Sequence, residues 1–98
     1  MVKQDKIDIM AYFKILEYLI EIDKRKESGA TKHRIGKEAF PQTVKNDKWI
    51  QTQLDFLIKK NWVDTITTAD KNNYYKITES GREFYLKKLY DLISSLRD

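Results

Sequence analysis

The stretch NDKWIQTQLDFLIKKNWV, from Asn46 to Val63, limits the possible folds of this chain more than any other. It predicts an amphipathic helix, because its apolar residues recur at i, i+4, i+7 and i+8 and form a stripe that faces a core. The stripe consists of Ile50, Leu54, Leu57 and Ile58. Asn46 is suited to cap the helix, since its side-chain oxygen can accept an amide proton of the first turn. Thr43 is an alternative cap that would lengthen the helix at its start.

The other side of this helix is polar and is a candidate surface for reading DNA. Lys, Gln, Thr and Asn side chains suit phosphates and base edges, and the N-terminal half of a helix is the part that enters the major groove. The candidate contacts on this helix and just before it are Lys45, Asn46, Lys48, Trp49, Gln51, Thr52 and Gln53. We expect Lys45 and Lys48 to hold phosphates. The expected contacts to base edges are Gln51, Thr52 and Gln53.

Length and composition exclude several classes of protein. The 98 residues predict one domain over 1–98, with a core but no separate catalytic lobe. The chain has no cysteine and a single histidine, which excludes disulfides and thiolate sites, so we expect no metal and no cofactor. No glycine-rich phosphate loop and no nucleophile beside a base is visible, and we therefore expect no enzymatic activity. The absence of a signal-peptide pattern and of an apolar run of about 18 residues predicts a cytoplasmic protein.

The net charge of +4 is distributed unevenly along the chain. Residues 24–48 carry eight basic and three acidic side chains, whereas residues 1–23 carry three basic and five acidic ones. The positive excess therefore lies just before and at the start of the central helix, where a polyanion would be bound. A solvated surface of a lysine-rich protein is the alternative interpretation.

The segment from about Asp5 to Lys24 predicts a first helix with a very narrow polar stripe. Its charged residues between positions 9 and 22 are Lys14, Glu17 and Glu21. A helix this apolar must be covered over most of its circumference, either by a second copy of the chain or within the core of one subunit. In the first case, the residues expected at the dimer interface are Tyr12, Leu16 and Leu19.

A short second helix, KHRIGKEAF, follows a polar connection in which Gly29 is a plausible stop for the first helix. Thr31 is suited to cap this second helix. Its first turn contains Lys32, His33 and Arg34. In a helix that crosses a nucleic-acid backbone, these residues are placed for contact with phosphates. We expect His33 to be solvated rather than a metal ligand or a catalytic base.

The last part of the chain predicts a hairpin and a final helix. Residues 62–68 and 73–78 are rich in β-branched and aromatic side chains, and ADKN lies between them as a turn. Lys71 and Asn72 at its tip are candidate DNA contacts, or else part of an ordinary turn. Thr78 is suited to cap a helix over 79–98. Its heptad seam, which favours dimerisation or packs back on its own domain, consists of Tyr85, Leu89, Leu92 and Leu96, widened by Leu86 and Ile93.

This order of elements resembles the winged helix-turn-helix family. LIKKNWV, from Leu57 to Val63, looks like the end of the family's recognition helix entering the wing, with Asn61 where the family often has glycine. YKITESG, from Tyr75 to Gly81, resembles the signature that ends the wing and starts the last helix. The resemblance extends from about Ile9 onward. It implies an α+β, mostly α fold with three helices, a two-stranded wing and an extra C-terminal dimerisation helix at 79–98.

The extra helix and the sequence TKHRI are similar to archaeal winged-helix DNA-binding proteins that dimerise through their terminal helices, and MarR-like and PadR-like repressors share the architecture. The resemblance implies a homodimer that binds double-stranded DNA in a sequence-specific manner and regulates transcription. Two alternatives remain open. One is an architectural, chromatin-like DNA binder, and the other is a winged helix used for protein association.

Overall fold

The computed structural model describes residues 9–97, with side chains described as far as Leu96. Its elements are α1 (Ile9–Lys24), α2 (Lys32–Glu38), α3 (Asp47–Lys59), β1 (Val63–Thr67), β2 (Asn73–Ile77) and α4 (Glu79–Arg97). The predicted order of helices and hairpin is therefore confirmed. The predicted start of the first helix at Asp5 and the end of the last helix at Asp98 lie outside the described residues.

Side-chain caps begin the three later helices, as the sequence predicts. The cap oxygen accepts a backbone amide three residues ahead, at 3.2 Å for Thr31, 2.8 Å for Asn46 and 2.9 Å for Thr78. Each bond satisfies an amide that has no partner inside the helix. The α3 helix therefore begins after Asn46, and the alternative cap at Thr43 is not used.

The α3 helix ends at Lys59, earlier than the predicted limit at Val63. The residue responsible is Asn61, whose φ of 66° is in the left-handed region. The Asn61 amide donates to the Ile58 carbonyl at 2.9 Å and the Trp62 amide to the Leu57 carbonyl at 3.0 Å. This pair of bonds closes a helix end, and asparagine is one of the few residues other than glycine that favours it.

The same kind of closure ends α1, although glycine is again not the residue used. Lys26 has a φ of 62°, and its amide and that of Glu27 donate to carbonyls of the last helical turn. The prediction that Gly29 stops the helix is wrong. Gly29 instead lies against β2, where an added Cβ would be 2.9 Å from the Tyr75 carbonyl oxygen. Its lack of a side chain is needed for close packing and not for a turn.

The two strands pair antiparallel, with Val63 opposite Ile77. Ala30 extends the sheet by one residue, because its amide and carbonyl both bond to Tyr75, at 3.0 and 2.8 Å. Tyr75 and Ile77 are buried while Lys76 between them is exposed, which confirms the predicted alternation. The wing is thereby attached to the segment that leads into α2.

The core forms around α1. Its most buried members are Ile15, Leu16, Leu19, Ile22, Ile35, Ile50, Leu54, Leu57 and Val63. Tyr12 stacks on Phe56 of α3 with ring centroids 4.6 Å apart. Tyr12, Leu16 and Leu19 are thus covered within one subunit, so of the two alternatives the structure shows cover by the chain's own core. The helix is enclosed by α2, α3, α4 and the sheet of its own chain.

The first turns of α4 are attached to the base of the wing. Phe84 stacks on Trp62 with ring centroids 3.8 Å apart, and Tyr85 meets Phe13 of α1 edge to face at 5.4 Å. A Cβ at Gly81 would be 2.2 Å from the Trp62 carbonyl oxygen, so only glycine allows this approach. Beyond Tyr85 the helix leaves the core, and most of its apolar side chains are exposed.

Candidate nucleic-acid interface

The exposed face of α3 is a stripe of polar side chains, called the outer stripe below. It consists of Lys48, Thr52, Asp55 and Lys59, at i, i+4, i+7 and i+11. All four are exposed, and the buried residues of α3 lie on the other side of the helix. The structure thus confirms that Lys48 and Thr52 are exposed, and it adds Asp55 and Lys59, which the sequence reasoning did not select.

Gln51 lies beside the outer stripe and is held at both ends of its amide group. Its Oε1 accepts a hydrogen bond from Lys32 Nζ at 2.9 Å, and its Nε2 donates to Asp55 Oδ1 at 2.7 Å. Lysine only donates and an ionised carboxylate only accepts, so these partners also fix which end of the amide is oxygen. A polar chain therefore runs from the first turn of α2 to the middle of α3.

The prediction that Gln53 lies on the exposed face is wrong. Its side chain is only 7% exposed, and Oε1 has no hydrogen-bond partner in the described part of the chain. Gln53 is three residues after Ile50 and four before Leu57, so helical spacing places it on the buried side. This spacing was the signal that the sequence reasoning overlooked. Gln53 cannot meet base edges in this arrangement.

The side chain of Arg34 forms ion pairs within the protein. Its guanidinium lies 2.9 Å from Glu27 Oε1 and 3.3 Å from Glu38 Oε1. Hydrogen bonds to these two carboxylates raise the pKa of Arg34 above its already high ordinary value. Because two acids compensate its charge, Arg34 is a poor candidate for holding a phosphate. Glu38, at i+4, could have indicated this pairing.

Trp49 and Lys45 form an aromatic and cationic cluster at the edge of the core. Trp49 is half-buried and meets Phe40 edge to face, with ring centroids 5.5 Å apart. Lys45 Nζ is 4.9 Å from the centroid of the Trp49 ring, within the range of a cation–π contact. Both residues lie beside the outer stripe rather than on it, and Asn46 is occupied as the cap of α3.

A shallow cleft of about 230 Å³ lies between the starts of α2 and α3 and the tip of the wing. Four predicted contacts line it, namely Lys32, His33, Lys71 and Asn72. Lys71 adopts a φ of 66° in the turn, and the Asn72 amide group donates to Asp70 at 3.0 Å. His33 is exposed, with Nδ1 3.9 Å from Asp47 Oδ1. The fold thus brings cationic residues from α2 and the wing to one place.

The candidate dimerisation residues separate into two groups. Tyr12, Leu16 and Leu19 are in the core, and Tyr85 packs against Phe13. Leu89 is half-buried. The exposed apolar residues of α4, called the α4 apolar face below, are Leu86, Tyr90, Leu92, Ile93 and Leu96. Ile9 and Met10 at the start of α1 are also exposed.

Among residues 9–97, no cluster of three or more His, Cys, Asp or Glu side chains is arranged to hold a metal ion. None of the described helices is sufficiently long and apolar to cross a membrane.

Several solved structures share this architecture. A transcriptional regulator from Clostridium thermocellum has a TM-score of 0.72 and 19% identity, with 99% of this chain and 93% of that chain covered. A winged-helix DNA-binding protein from STIV has a TM-score of 0.68 and 19% identity, with 93% of this chain and 95% of that chain covered. No protein-family model and no curated protein matches the sequence.

These comparisons and the geometry define the fold class. The chain has the winged helix-turn-helix fold, with α2 and α3 as the helix-turn-helix, β1 and β2 as the wing, and α4 as an additional C-terminal helix. The resemblance seen in the sequence is confirmed at the level of the fold.

Proposed function

We propose that this protein binds double-stranded DNA as a homodimer, reads sequence through α3, and acts in the cytoplasm as a transcriptional regulator. The observation that carries the proposal is the outer stripe, a row of exposed polar side chains on the one helix that this fold can place in the major groove. Both structural neighbours point in the same direction, since one is described as a transcriptional regulator and the other as a DNA-binding protein.

The charges around α3 support contact with phosphates. Lysines form the two ends of the outer stripe and line the cleft beside the wing. The residues are Lys32, Lys48, Lys59 and Lys71. If each lysine neutralises one phosphate, a dimer contacts about eight, and log affinity falls against log salt with a slope of about −7. These contacts position the protein, and base edges supply the sequence preference.

The α4 apolar face supports association of two copies. Its exposed fractions are 54% for Leu86, 69% for Tyr90, 49% for Leu92, 47% for Ile93 and 77% for Leu96. Contiguous apolar surface of this kind is uncommon on a monomer and usually marks an interface. Two copies joined through α4 would present two α3 helices. A separation of about 34 Å, one turn of DNA, would match a palindromic site.

Fluorescence anisotropy with random-sequence and genomic DNA fragments, at several salt concentrations, tests the proposal. The variant Lys48→Ala/Thr52→Ala/Lys59→Ala removes exposed groups of the outer stripe and leaves the core intact. Lys87→Ala on α4 is the matched control, because it also removes an exposed lysine. We expect the wild type and the control to bind a subset of fragments tightly, and the triple variant to bind all fragments more weakly and with a smaller salt dependence.

Other outcomes separate the alternatives. Uniform binding of all fragments by the wild type would indicate an architectural DNA binder without sequence readout. No binding by the wild type even at low salt would contradict the proposal and favour a winged helix used for protein association. In that case the α4 apolar face would be the first surface to test for a protein partner.

A further inference from the structure

The outer stripe contains one acidic residue, Asp55, where a surface for a polyanion would be expected to be entirely basic or neutral. Asp55 lies between Thr52 and Lys59, in the middle of the exposed face of α3. Among the described side chains, no cation lies within 4.0 Å of its carboxylate. An uncompensated carboxylate repels phosphates, and it weakens binding to DNA in general. An acidic residue that weakens DNA binding, on the face proposed to meet DNA, therefore needs a specific role that offsets this loss.

The carboxylate is also held in a fixed orientation. Gln51 Nε2 donates to Asp55 Oδ1 at 2.7 Å, and Gln51 is itself held by Lys32 Nζ on its oxygen at 2.9 Å. Lys32 belongs to α2, so the orientation of Asp55 depends on packing between two helices and not on its own helix alone. Oδ2 remains available, since the described hydrogen bond reaches Oδ1. A group fixed before binding loses less entropy when it meets its partner.

The same network competes with direct readout by Gln51, because it uses one donor and one acceptor position of the amide group. A glutamine reads adenine by donating from its amide nitrogen and accepting at its oxygen at the same time. In this structure both ends are occupied, by Asp55 and Lys32. Gln51 is therefore a positioning residue, and Asp55 is the group presented to the groove.

We infer that Asp55 is a specificity-determining residue, which selects a base pair with cytosine at one position of each half-site. An ionised carboxylate only accepts hydrogen bonds, and the amino donors of the major groove are cytosine N4 and adenine N6. The acceptor N7 beside adenine N6 repels a carboxylate, whereas cytosine N4 has no acceptor beside it on its own base, so cytosine is favoured. Guanine presents two acceptors there, N7 and O6, which repel a carboxylate. This inference rests on the proposed function, because it requires that α3 lies in the major groove.

The test is selection of bound duplexes from a random-sequence pool, followed by sequencing, for the wild type and three variants. Asp55→Asn has nearly the same shape and can pair with adenine through two hydrogen bonds. Asp55→Ala removes the group. Asp91→Asn on α4 is the control, because it makes the same change of charge at another exposed position.

We expect the wild type to favour cytosine at one position of each half-site by about fivefold to tenfold. Asp55→Asn should change the preferred base at that position to adenine, and Asp55→Ala should leave no preference there. Preferences at the other positions, and all those of Asp91→Asn, should remain as in the wild type. Circular dichroism confirms that the variants are folded, which is expected because Asp55 is exposed.

Two results would overturn the inference, and they differ in what else they affect. If the wild type enriches a sequence and Asp55→Asn enriches the identical one, the role of Asp55 is wrong while the proposed function stands. If the wild type enriches no sequence, the inference and sequence readout by α3 both fail.

Discussion

The Tyr18 hydroxyl donates a hydrogen bond of 2.5 Å to Glu38 Oε1. The guanidinium of Arg34 lies 3.3 Å from the same oxygen, so a phenol and a cation share one carboxylate. Burial, together with the hydrogen bond to Glu38, raises the pKa of Tyr18 from 10.0 to about 12. In return, the bond from Tyr18 lowers the pKa of Glu38, assisted by Arg34. This network connects α1 to α2 at the edge of the core.

Tyr18→Phe should change how stability depends on alkaline pH. The unfolded chain loses the phenolic proton near pH 10, whereas the folded chain keeps it to about pH 12. The contribution of Tyr18 is therefore complete below pH 10 and declines as the pH rises to 12. The variant should lose about 1 kcal/mol of unfolding free energy at pH 7 and show a flatter decline above pH 10. Urea unfolding at a series of pH values measures both.

Tyr74→Phe is the control for this experiment, because Tyr74 lies outside the core cluster and outside the α4 apolar face. Its stability profile should follow that of the wild type throughout. Parallel curves for Tyr18→Phe and the wild type between pH 9 and 12 would show that the Tyr18 proton is not held by the fold.

Arg34→Met should affect stability but not DNA binding, whereas Lys48→Met should affect DNA binding but not stability. Arg34→Met leaves Glu27 and Glu38 without their cation, and we expect it to lower the free energy of unfolding by about 1 kcal/mol with DNA affinity unchanged. Lys48→Met removes an exposed cation, so it should weaken DNA binding and leave stability unchanged. Thermal melting and anisotropy on both variants measure the two effects. A loss of DNA affinity in folded Arg34→Met would restore Arg34 as a phosphate contact.

Gln53→Met should stabilise the protein. The substitution replaces a buried amide, whose Oε1 has no described partner, with an apolar side chain of similar length. Removing the unsatisfied oxygen should raise the free energy of unfolding by about 1 kcal/mol without weakening DNA binding. Gln51→Met is the comparison, since it breaks satisfied hydrogen bonds to Lys32 and Asp55 and should bring no gain. A destabilised Gln53→Met would show that this amide has a hydrogen-bond partner in solution.

Leu96→Asp should dissociate the proposed dimer without unfolding the subunit. Leu96 is 77% exposed, so a charge there costs the monomer little, whereas it would be buried between two copies. Lys87→Asp is the control, because Lys87 is nine positions before Leu96 and therefore lies on the opposite side of α4. Sedimentation equilibrium should give a dimer for the wild type and the control, and a monomer for Leu96→Asp. A monomeric wild type would contradict the homodimer outright.

The element order could be predicted from sequence because local signals mark nearly every boundary. Thr31, Asn46 and Thr78 each cap a helix through their own side chains, and these bonds depend on residues three positions away. The end of α1 was not predictable in this way. Lys26 takes the left-handed conformation there although glycine is close by, and Gly29 packs against Tyr75 instead.

The candidate site was predicted less completely, since exposure depends on what the rest of the chain covers. Lys48 and Thr52 are exposed as expected, but Gln53 is buried. Glu27 and Glu38 compensate Arg34 from two sides, and one of them is seven residues away in a loop. Asp55 was not considered because scattered acids on a helix usually pair with lysines. Its fixed orientation depends on Lys32, which is distant in sequence.

The close approach of Gly81 to the Trp62 carbonyl joins the start of α4 closely to the base of the wing. The wing base and the start of this helix can move only together, so the far end of α4 reports the position of α3. In a dimer joined through α4, its length would then set the spacing between the two half-sites. Adding one residue after Leu86 would turn the outer part by about 100° and extend it by about 1.5 Å. Operator spacing would thus depend on the length of a helix outside the outer stripe and the wing.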